Sequence, residues 1–144
     1  MGVRDEGGEK MGIFLVNPNI LINFAGMNAA KKNMNAGECR SFLVEKLRQE
    51  GALWSYDPDS VQADEIDDEV LVELVLRYLD IDEIKILFAL FSYNKVKAAW
   101  LKRMVPQGEY LYSLNRFIAW YYFRVKRPDA YVKAMATRYY NKIA

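Results

Sequence analysis

The chain of 144 residues is long enough for one domain with its own core, and its 52% hydrophobic content excludes an intrinsically disordered protein. Its net charge of +1 conceals an asymmetry: residues 37–94 hold five basic and fourteen acidic side chains, whereas residues 95–144 hold eleven basic and two acidic. This separation predicts either that the two segments face each other or that one of them faces a charged partner.

The first 37 residues carry weak structural signals and are predicted to form a tail, an arm and a linker. Residues 1–10 are polar, and Met11 is an alternative start. Residues 11–30 are uncharged, but four Asn and one Pro interrupt them, which argues against a membrane span. The turn signal at residues 17–19 predicts an irregular or hairpin-like arm, which a homodimer could exchange between subunits.

Helical spacing of apolar residues begins at Glu38 and predicts a first helix that stops at Gly51. A turn is expected over residues 54–59. The second helix is predicted from about Asp67 to Leu79, and its polar stripe is narrow. We therefore expect this helix to be central and mostly buried.

Four further helices are predicted in the remaining chain. The third, Glu83 to Phe91, is capped by Asp80 or Asp82, and the fourth, Lys95 to Val105, ends at Pro106 and Gly108. The fifth spans Tyr110 to Val125, and the last begins at Pro128. The expected fold is all-α: a compact bundle of about six helices with short connections, forming one helical domain over residues 38–144.

The inventory of reactive side chains argues against an enzyme. The chain has no histidine, which removes the commonest general base and the usual zinc ligand, and it has no phosphate-binding loop. The acidic cluster at residues 64–69 is predicted to cap a helix in preference to holding a metal ion. No cofactor, metal or catalytic residue is predicted.

Cys39 is the single cysteine, so the chain cannot form an internal disulfide, and a cytoplasmic location is favoured. Its place near the start of a helix could lower the pKa of the thiol. The favoured interpretation is a buried, inert thiol.

A nucleic-acid interface is one functional hypothesis, because residues 95–144 combine their basic side chains with eleven aromatic ones. The segment Glu83 to Met104 also has the helix, turn and helix order of a DNA-reading unit. The alternative is that solvated basic faces balance the acidic segment. The candidate contacts are Lys95, Lys97, Lys102, Arg103, Arg116, Arg124, Lys126, Arg127, Lys133, Arg138 and Lys142.

A protein-docking surface is the other hypothesis. Tyr112, Arg116 and Trp120 follow one another at four-residue spacing in the fifth predicted helix, with Phe123 nearby. An arginine flanked by two rings can stack on both, and these residue types dominate the binding hot spots of protein interfaces. If the stripe is exposed, it is a docking surface. The alternative is that Trp120 packs inside.

Part of the chain, about residues 50–123, resembles a small uncharacterised bacterial helical family. The resemblance is carried by Leu53-Trp54-Ser55-Tyr56-Asp57, the helix Val70 to Tyr78, Ile81-Asp82-Glu83-Ile84-Lys85 and Trp120-Tyr121-Tyr122-Phe123. Such proteins are often encoded beside nucleotidyltransferase-like toxins of the abortive-infection type. The resemblance implies an accessory or antitoxin-like protein with no chemistry of its own.

Two functions are therefore expected in order of preference. The first is a non-enzymatic protein that binds a protein partner, and the second is a small regulator that binds DNA or RNA through its basic half.

Overall fold

The computed structural model describes residues 22–23 and 33–143, and six α-helices lie within them. The prediction of an all-α fold of about six helices is confirmed for this part of the chain. The elements are β1 (Ile22–Asn23), β2 (Asn33–Met34), α1 (Ala36–Gln49), α2 (Asp68–Tyr78), α3 (Ile81–Leu90), α4 (Tyr93–Arg103), α5 (Tyr112–Tyr121) and α6 (Pro128–Ile143).

The two short strands pair antiparallel, with Ile22 opposite Met34 and Asn23 opposite Asn33. The polar tail, most of the predicted arm and most of the linker lie outside the described residues. The described helices include none that is both long and apolar enough to cross a membrane.

Helix α1 begins two residues before the predicted start because Asn35 caps it. The backbone N–H of Glu38 donates to Asn35 Oδ1 at 2.9 Å, and the backbone N–H of Asn35 donates to Glu38 Oε1 at 3.0 Å. This reciprocal pair satisfies two of the amides that a helix start leaves without partners. The helix ends as predicted before Gly51, whose φ of 71° favours glycine.

The connection between α1 and α2 corrects the expectation of short connections, because it runs over residues 50–67 and contains a 3₁₀ turn, Ala63–Glu65. The side chain of Arg40, in α1, contacts the carboxy-terminal end of this connection. Arg40 Nε donates to the carbonyl of Ala63 at 2.9 Å, Nη1 donates to Asp68 Oδ1 at 2.7 Å, and Nη2 donates to the carbonyl of Ile66. The long connection is therefore held through side-chain contacts with backbone carbonyls.

Helix α2 is buried as predicted, and it packs with α1 and α3. Asp67 caps it by accepting a hydrogen bond from the backbone N–H of Glu69 at 3.1 Å. The narrow polar stripe is itself partly enclosed, since Glu73 is buried and accepts a hydrogen bond from Arg77 Nη1 at 3.1 Å. Helix α3 follows at once, with Asp80 as its N-cap.

Helix α4 begins at Tyr93, two residues before the prediction, after Ser92 accepts a hydrogen bond from the backbone N–H of Lys95 at 3.1 Å. It ends at Arg103, and a 3₁₀ segment, Val105–Leu111, follows. Pro106 lies near the start of this segment, and Gly108 has a φ of 68°. The fifth predicted helix is thereby shortened to α5.

The chain divides between Val96 and Lys97, inside α4, into two compact units. The sequence predicts one helical domain over residues 38–144, and that domain assignment stays a prediction. The amino-terminal unit contains α1, α2 and α3, and the carboxy-terminal unit contains α5 and α6, which pack against each other and against the 3₁₀ segment.

Candidate protein-docking surface on α5

The inner side of α5 is fixed by a buried polar contact. Trp100 and Asn115 have no exposed surface, and Trp100 Nε1 donates to Asn115 Oδ1 at 2.9 Å. Asn115 Nδ2 donates in turn to the carbonyl of Met104 at 3.1 Å. The amide therefore joins α5 to the end of α4, and it pairs groups that would be costly to bury alone.

Two aromatic rings lie close to the indole of Trp100. Its centroid lies 5.0 Å from that of Phe123, and the ring of Tyr131 lies parallel to it at 6.4 Å. The core tryptophan of this unit is thus Trp100, and α5 does not need Trp120 to fill the interior.

The outer side of α5 carries three exposed rings, which we call the α5 aromatic face: Phe117, Trp120 and Tyr121. Their exposed fractions are 40%, 57% and 42%. Phe117 and Tyr121 are stacked at 5.2 Å, with 11° between their planes, and Trp120 lies 6.0 Å from Phe117 and 5.9 Å from Tyr121. Spacings of three and four residues place all three on one side of the helix.

The predicted stripe is only partly brought together. Arg116 is exposed and lies over the ring of Tyr112 at 5.3 Å, while its Nη1 donates to Asp129 Oδ1 at 3.1 Å. Trp120 does not take the second side of this arginine, because it packs against Phe117 and Tyr121. Tyr112 is half-buried beneath Arg116 and Lys133.

Phe123 is a correction to the predicted site. It is buried against Trp100 and belongs to the core of the carboxy-terminal unit. Because α5 ends at Tyr121, helical spacing no longer governs the direction of the Phe123 side chain. Its neighbour Tyr122 is buried as well, and burial together with the nearby Tyr121 raises the pKa of its phenol.

Arg124 adopts a left-handed backbone conformation, with a φ of 57°, just beyond the end of α5. The backbone N–H of Val125 donates across this turn to the carbonyl of Ala119 at 3.0 Å. A glycine or asparagine is the usual residue in this conformation after a helix. The Arg124 side chain is exposed.

Two of the predicted nucleic-acid contacts are engaged within their own units. Lys95 Nζ donates to Asp68 Oδ2 at 2.6 Å, so at this point the basic and acidic segments do meet. Lys97 is half-buried and lies over the rings of Phe123 and Tyr131 at 5.8 and 5.6 Å. Both lysines therefore have contacts within the fold, and the helix-turn-helix hypothesis stays a prediction.

The other predicted nucleic-acid contacts lie mostly at the surface. Arg103 is half-buried, and the exposed ones are Lys102, Arg116, Arg124, Lys126, Arg127, Lys133, Arg138 and Lys142. A shallow groove of about 520 Å³ on α6 is lined by Lys133, Ala134, Thr137, Arg138 and Asn141. The nucleic-acid hypothesis therefore predicts that DNA or RNA binds at this groove.

The acidic cluster serves the fold through capping and pairing. Asp67 caps α2, and Asp68 accepts hydrogen bonds from Arg40 and Lys95. Partial burial alone would raise the pKa of Asp68, but these two cations outweigh it and hold that pKa below its usual value. In the part of the chain that the structure describes, no three acidic or cysteine side chains converge on a position for a metal ion.

Cys39 is fully buried, and its Sγ lies 3.9 Å from the carbonyl oxygen of Met34. Burial, with a smaller contribution from Glu38, raises the pKa of the thiol to about 11. The interpretation as an inert thiol agrees with this environment, and the alternative of a lowered pKa is wrong.

A second concavity, of about 740 Å³, lies along α1. Its charged groups are already in contact with neighbours, since Glu45 pairs with Arg48 at 3.0 Å and Lys46 lies over the ring of Phe42. No convergent set of reactive groups lines it. The residues that line it are Met34, Asn35, Gly37, Glu38, Ser41, Phe42, Glu45, Lys46 and Gln49.

No protein-family model matches the chain, and neither a curated protein nor a solved structure shows significant similarity to it. The functional argument therefore depends on the geometry of the described residues. Within that geometry the α5 aromatic face is a surface on which three exposed rings contact one another.

Proposed function

We propose that this protein is a non-enzymatic interaction protein whose partner is another protein that docks on the α5 aromatic face. The observation that carries the proposal is the exposure of Phe117, Trp120 and Tyr121 on one side of a helix whose opposite side is firmly buried. A contiguous exposed apolar patch of this kind is typical of a binding site.

The size of the patch supports the proposal. Given their exposed fractions, the three rings present roughly 300 Å² of aromatic surface to water. Covering it would contribute roughly 7 kcal/mol before the costs of association are subtracted. Tryptophan and tyrosine are also the residue types that most often dominate the binding free energy of protein complexes.

The side chains that hold α5 in place differ from those proposed to bind the partner, so mutation can test the proposal. Trp100 and Asn115 hold α5 in place, whereas Trp120 is 57% exposed. Trp54 supplies a matched control, because it is 75% exposed and lies in the other unit. Replacing either residue by alanine therefore removes a surface tryptophan without opening the core.

The first experiment is a capture from native lysate with immobilised wild-type chain, Trp120→Ala and Trp54→Ala, each with and without nuclease. The proposal expects a protein that is retained by wild type and Trp54→Ala, is lost with Trp120→Ala and is indifferent to nuclease. Retention that is the same with all three chains, or that disappears after nuclease treatment, contradicts it.

The resemblance to the bacterial helical family adds a finer proposal about the partner. The captured protein would be a toxin-like nucleotidyltransferase, and the present chain would act as its antitoxin-like accessory. We place this interaction in the cytoplasm because the single cysteine is a reduced, buried thiol. Mass spectrometry of the captured band tests the partner's identity.

Nucleic-acid binding is the second candidate, and the basic groove on α6 favours it. Lys133 and Arg138 line this groove, and Arg127 is exposed just before the helix. If DNA or RNA binds there, the affinity falls steeply with salt, and Arg138→Ala lowers the slope of log K against log salt by about one. An affinity that is insensitive to salt rejects this candidate.

A further inference from the structure

We infer that α6 binds in the major groove of duplex DNA, where Asn141 contacts the base edges and Lys133 and Lys142 contact the phosphates. This inference rests on the second candidate function and narrows it from nucleic acid in general to duplex DNA. It concerns a different helix from the α5 aromatic face, so either proposal can fail without the other.

The outer side of α6 is turned away from its own unit. Val132 is the single buried residue among the 16 of this helix, which packs on α5 and on the 3₁₀ segment. Asn141 follows Val132 by nine residues, which is about 2.5 turns, so it lies on the opposite side of the helix. Thr137 stands four residues before Asn141 and lies on the same strip, and both line the groove of about 520 Å³. This outer strip is therefore accessible to a ligand along α6.

Positive charge lies on both sides of this strip. Residues 110–144 contain seven basic side chains, all exposed, and a single acidic one, Asp129, which is paired with Arg116. Lys133 and Lys142 are nine residues apart, so they lie about half a turn from each other around α6, with Asn141 between them. Lys133 also lies over the ring of Tyr112 at 5.8 Å and is nevertheless exposed. Two cationic edges beside a polar strip complement the two phosphate backbones that border a groove of a duplex.

The side chains of the strip favour a duplex over a single strand or a protein. The groove is lined by Lys133, Ala134, Thr137, Arg138 and Asn141, so no aromatic ring and no large apolar side chain is among its lining residues. Single strands are bound by stacking their bases on aromatic rings, and protein interfaces depend on buried aromatic or aliphatic anchors. Interfaces with duplex DNA are polar and strongly positive, as this strip is.

The dimensions of the helix favour DNA over RNA. An α-helix is about 10–12 Å wide and enters the DNA major groove, which is about 12 Å wide, whereas the major groove of duplex RNA is too narrow to be read by side chains. Thr137 and Asn141 are about 6 Å apart along the axis, close to the rise of two base pairs. An asparagine amide pairs with two groups on the edge of adenine, and a threonine methyl contacts the methyl group of thymine. We therefore expect an adenine opposite Asn141.

The first test selects DNA duplexes of about 20 base pairs, with random central sequences, on the full wild-type chain. We expect enrichment of a sequence that has adenine at a fixed position, and weaker binding of the RNA duplex of the same sequence. The absence of enrichment overturns the inference. A polythymidine strand, the RNA duplex or a polyglutamate peptide that binds as tightly as the selected DNA also overturns it.

Single substitutions then separate base contact from charge attraction. Asn141→Ala should bind the selected duplex about tenfold more weakly, with no change for a scrambled duplex or in the salt dependence. Lys142→Ala should weaken binding to both duplexes alike and lower the slope of log K against log salt by about one. Lys85→Ala removes an exposed lysine from the amino-terminal unit and is the matched control, which should stay within about twofold of wild type.

Wild-type affinity of Asn141→Ala for the selected duplex, or an unchanged salt slope in Lys142→Ala, overturns the inference. Trp120→Ala should bind the selected duplex as wild type does, because α6 carries the DNA contacts. A loss of DNA affinity in Trp120→Ala as large as that in Asn141→Ala also overturns it. Capture of a protein partner through the α5 aromatic face is measured separately, so the two proposals remain distinguishable.

Discussion

Replacing Asn115 by alanine should be among the most damaging substitutions in the carboxy-terminal unit. The change removes the acceptor of Trp100 Nε1 and the donor to the carbonyl of Met104, and it leaves both groups in a region without exposed surface. Each orphaned polar group costs about 1–3 kcal/mol, so we expect a total loss of about 3–5 kcal/mol in the free energy of unfolding.

The assay is urea unfolding followed by far-ultraviolet circular dichroism, with Asn141→Ala on the exposed side of α6 as the control. The control should change the free energy of unfolding by less than about 0.5 kcal/mol. A double-mutant cycle with Trp100→Phe isolates the indole–amide bond, and the coupling energy should be about 1–2 kcal/mol. A loss below about 1 kcal/mol for Asn115→Ala would refute the buried network as the anchor of α5.

Two further predictions concern the amino-terminal unit. Cys39 should react with a thiol reagent such as Ellman's reagent at neutral pH only after denaturant is added, because it is buried and its pKa is raised to about 11; prompt labelling of the native protein contradicts this. Asp68→Asn should lower the free energy of unfolding by about 1 kcal/mol at neutral pH, because a partly exposed carboxylate loses two cations. Since the pKa of Asp68 is lowered in the folded state, its contribution is present above its usual value and disappears as the pH falls through the folded value. Wild type and Asp68→Asn should therefore converge in acid, and a gap that stays constant contradicts the assignment.

The helices that sequence predicted best are those whose ends depend on local chemistry. Gly51 stops α1 through its own backbone conformation, and Asp67 caps α2 by accepting a hydrogen bond from a nearby amide. Pro128 is the first residue of α6. The start of α1 had a local signal too, since Asn35 and Glu38 stand three apart as in a capping box. It was overlooked because the surrounding Asn and Gly residues resemble a linker.

The long connection before α2 could not be predicted in the same way. Arg40 fastens it to α1 by donating to carbonyls that lie more than twenty residues away along the chain. Backbone carbonyls are present in every sequence, so spacing gives no indication of which ones an arginine will meet. From the sequence, this connection is therefore predicted only as a turn over residues 54–59 followed by residues without an assigned element.

The site was predicted in part, for a physical reason. Helix α5 carries apolar residues on more than one side, so periodicity could not decide which side is buried. The sequence leaves Trp120 open between surface and interior, and it does not single out Phe117 and Tyr121, because residues three and four apart on a helix can equally form a core stripe. Phe123 was misplaced because the helix was expected to run past it.

The affinity of the purified partner for three chains tests the role of the α5 aromatic face most directly. Isothermal titration should show that Trp120→Ala binds about thirtyfold more weakly than wild type, which corresponds to about 2 kcal/mol. Trp54→Ala should remain within about twofold of wild type, since it removes a more exposed tryptophan from the other unit. Equal losses in both variants, or wild-type affinity in Trp120→Ala, would contradict the proposal that the partner docks on this face.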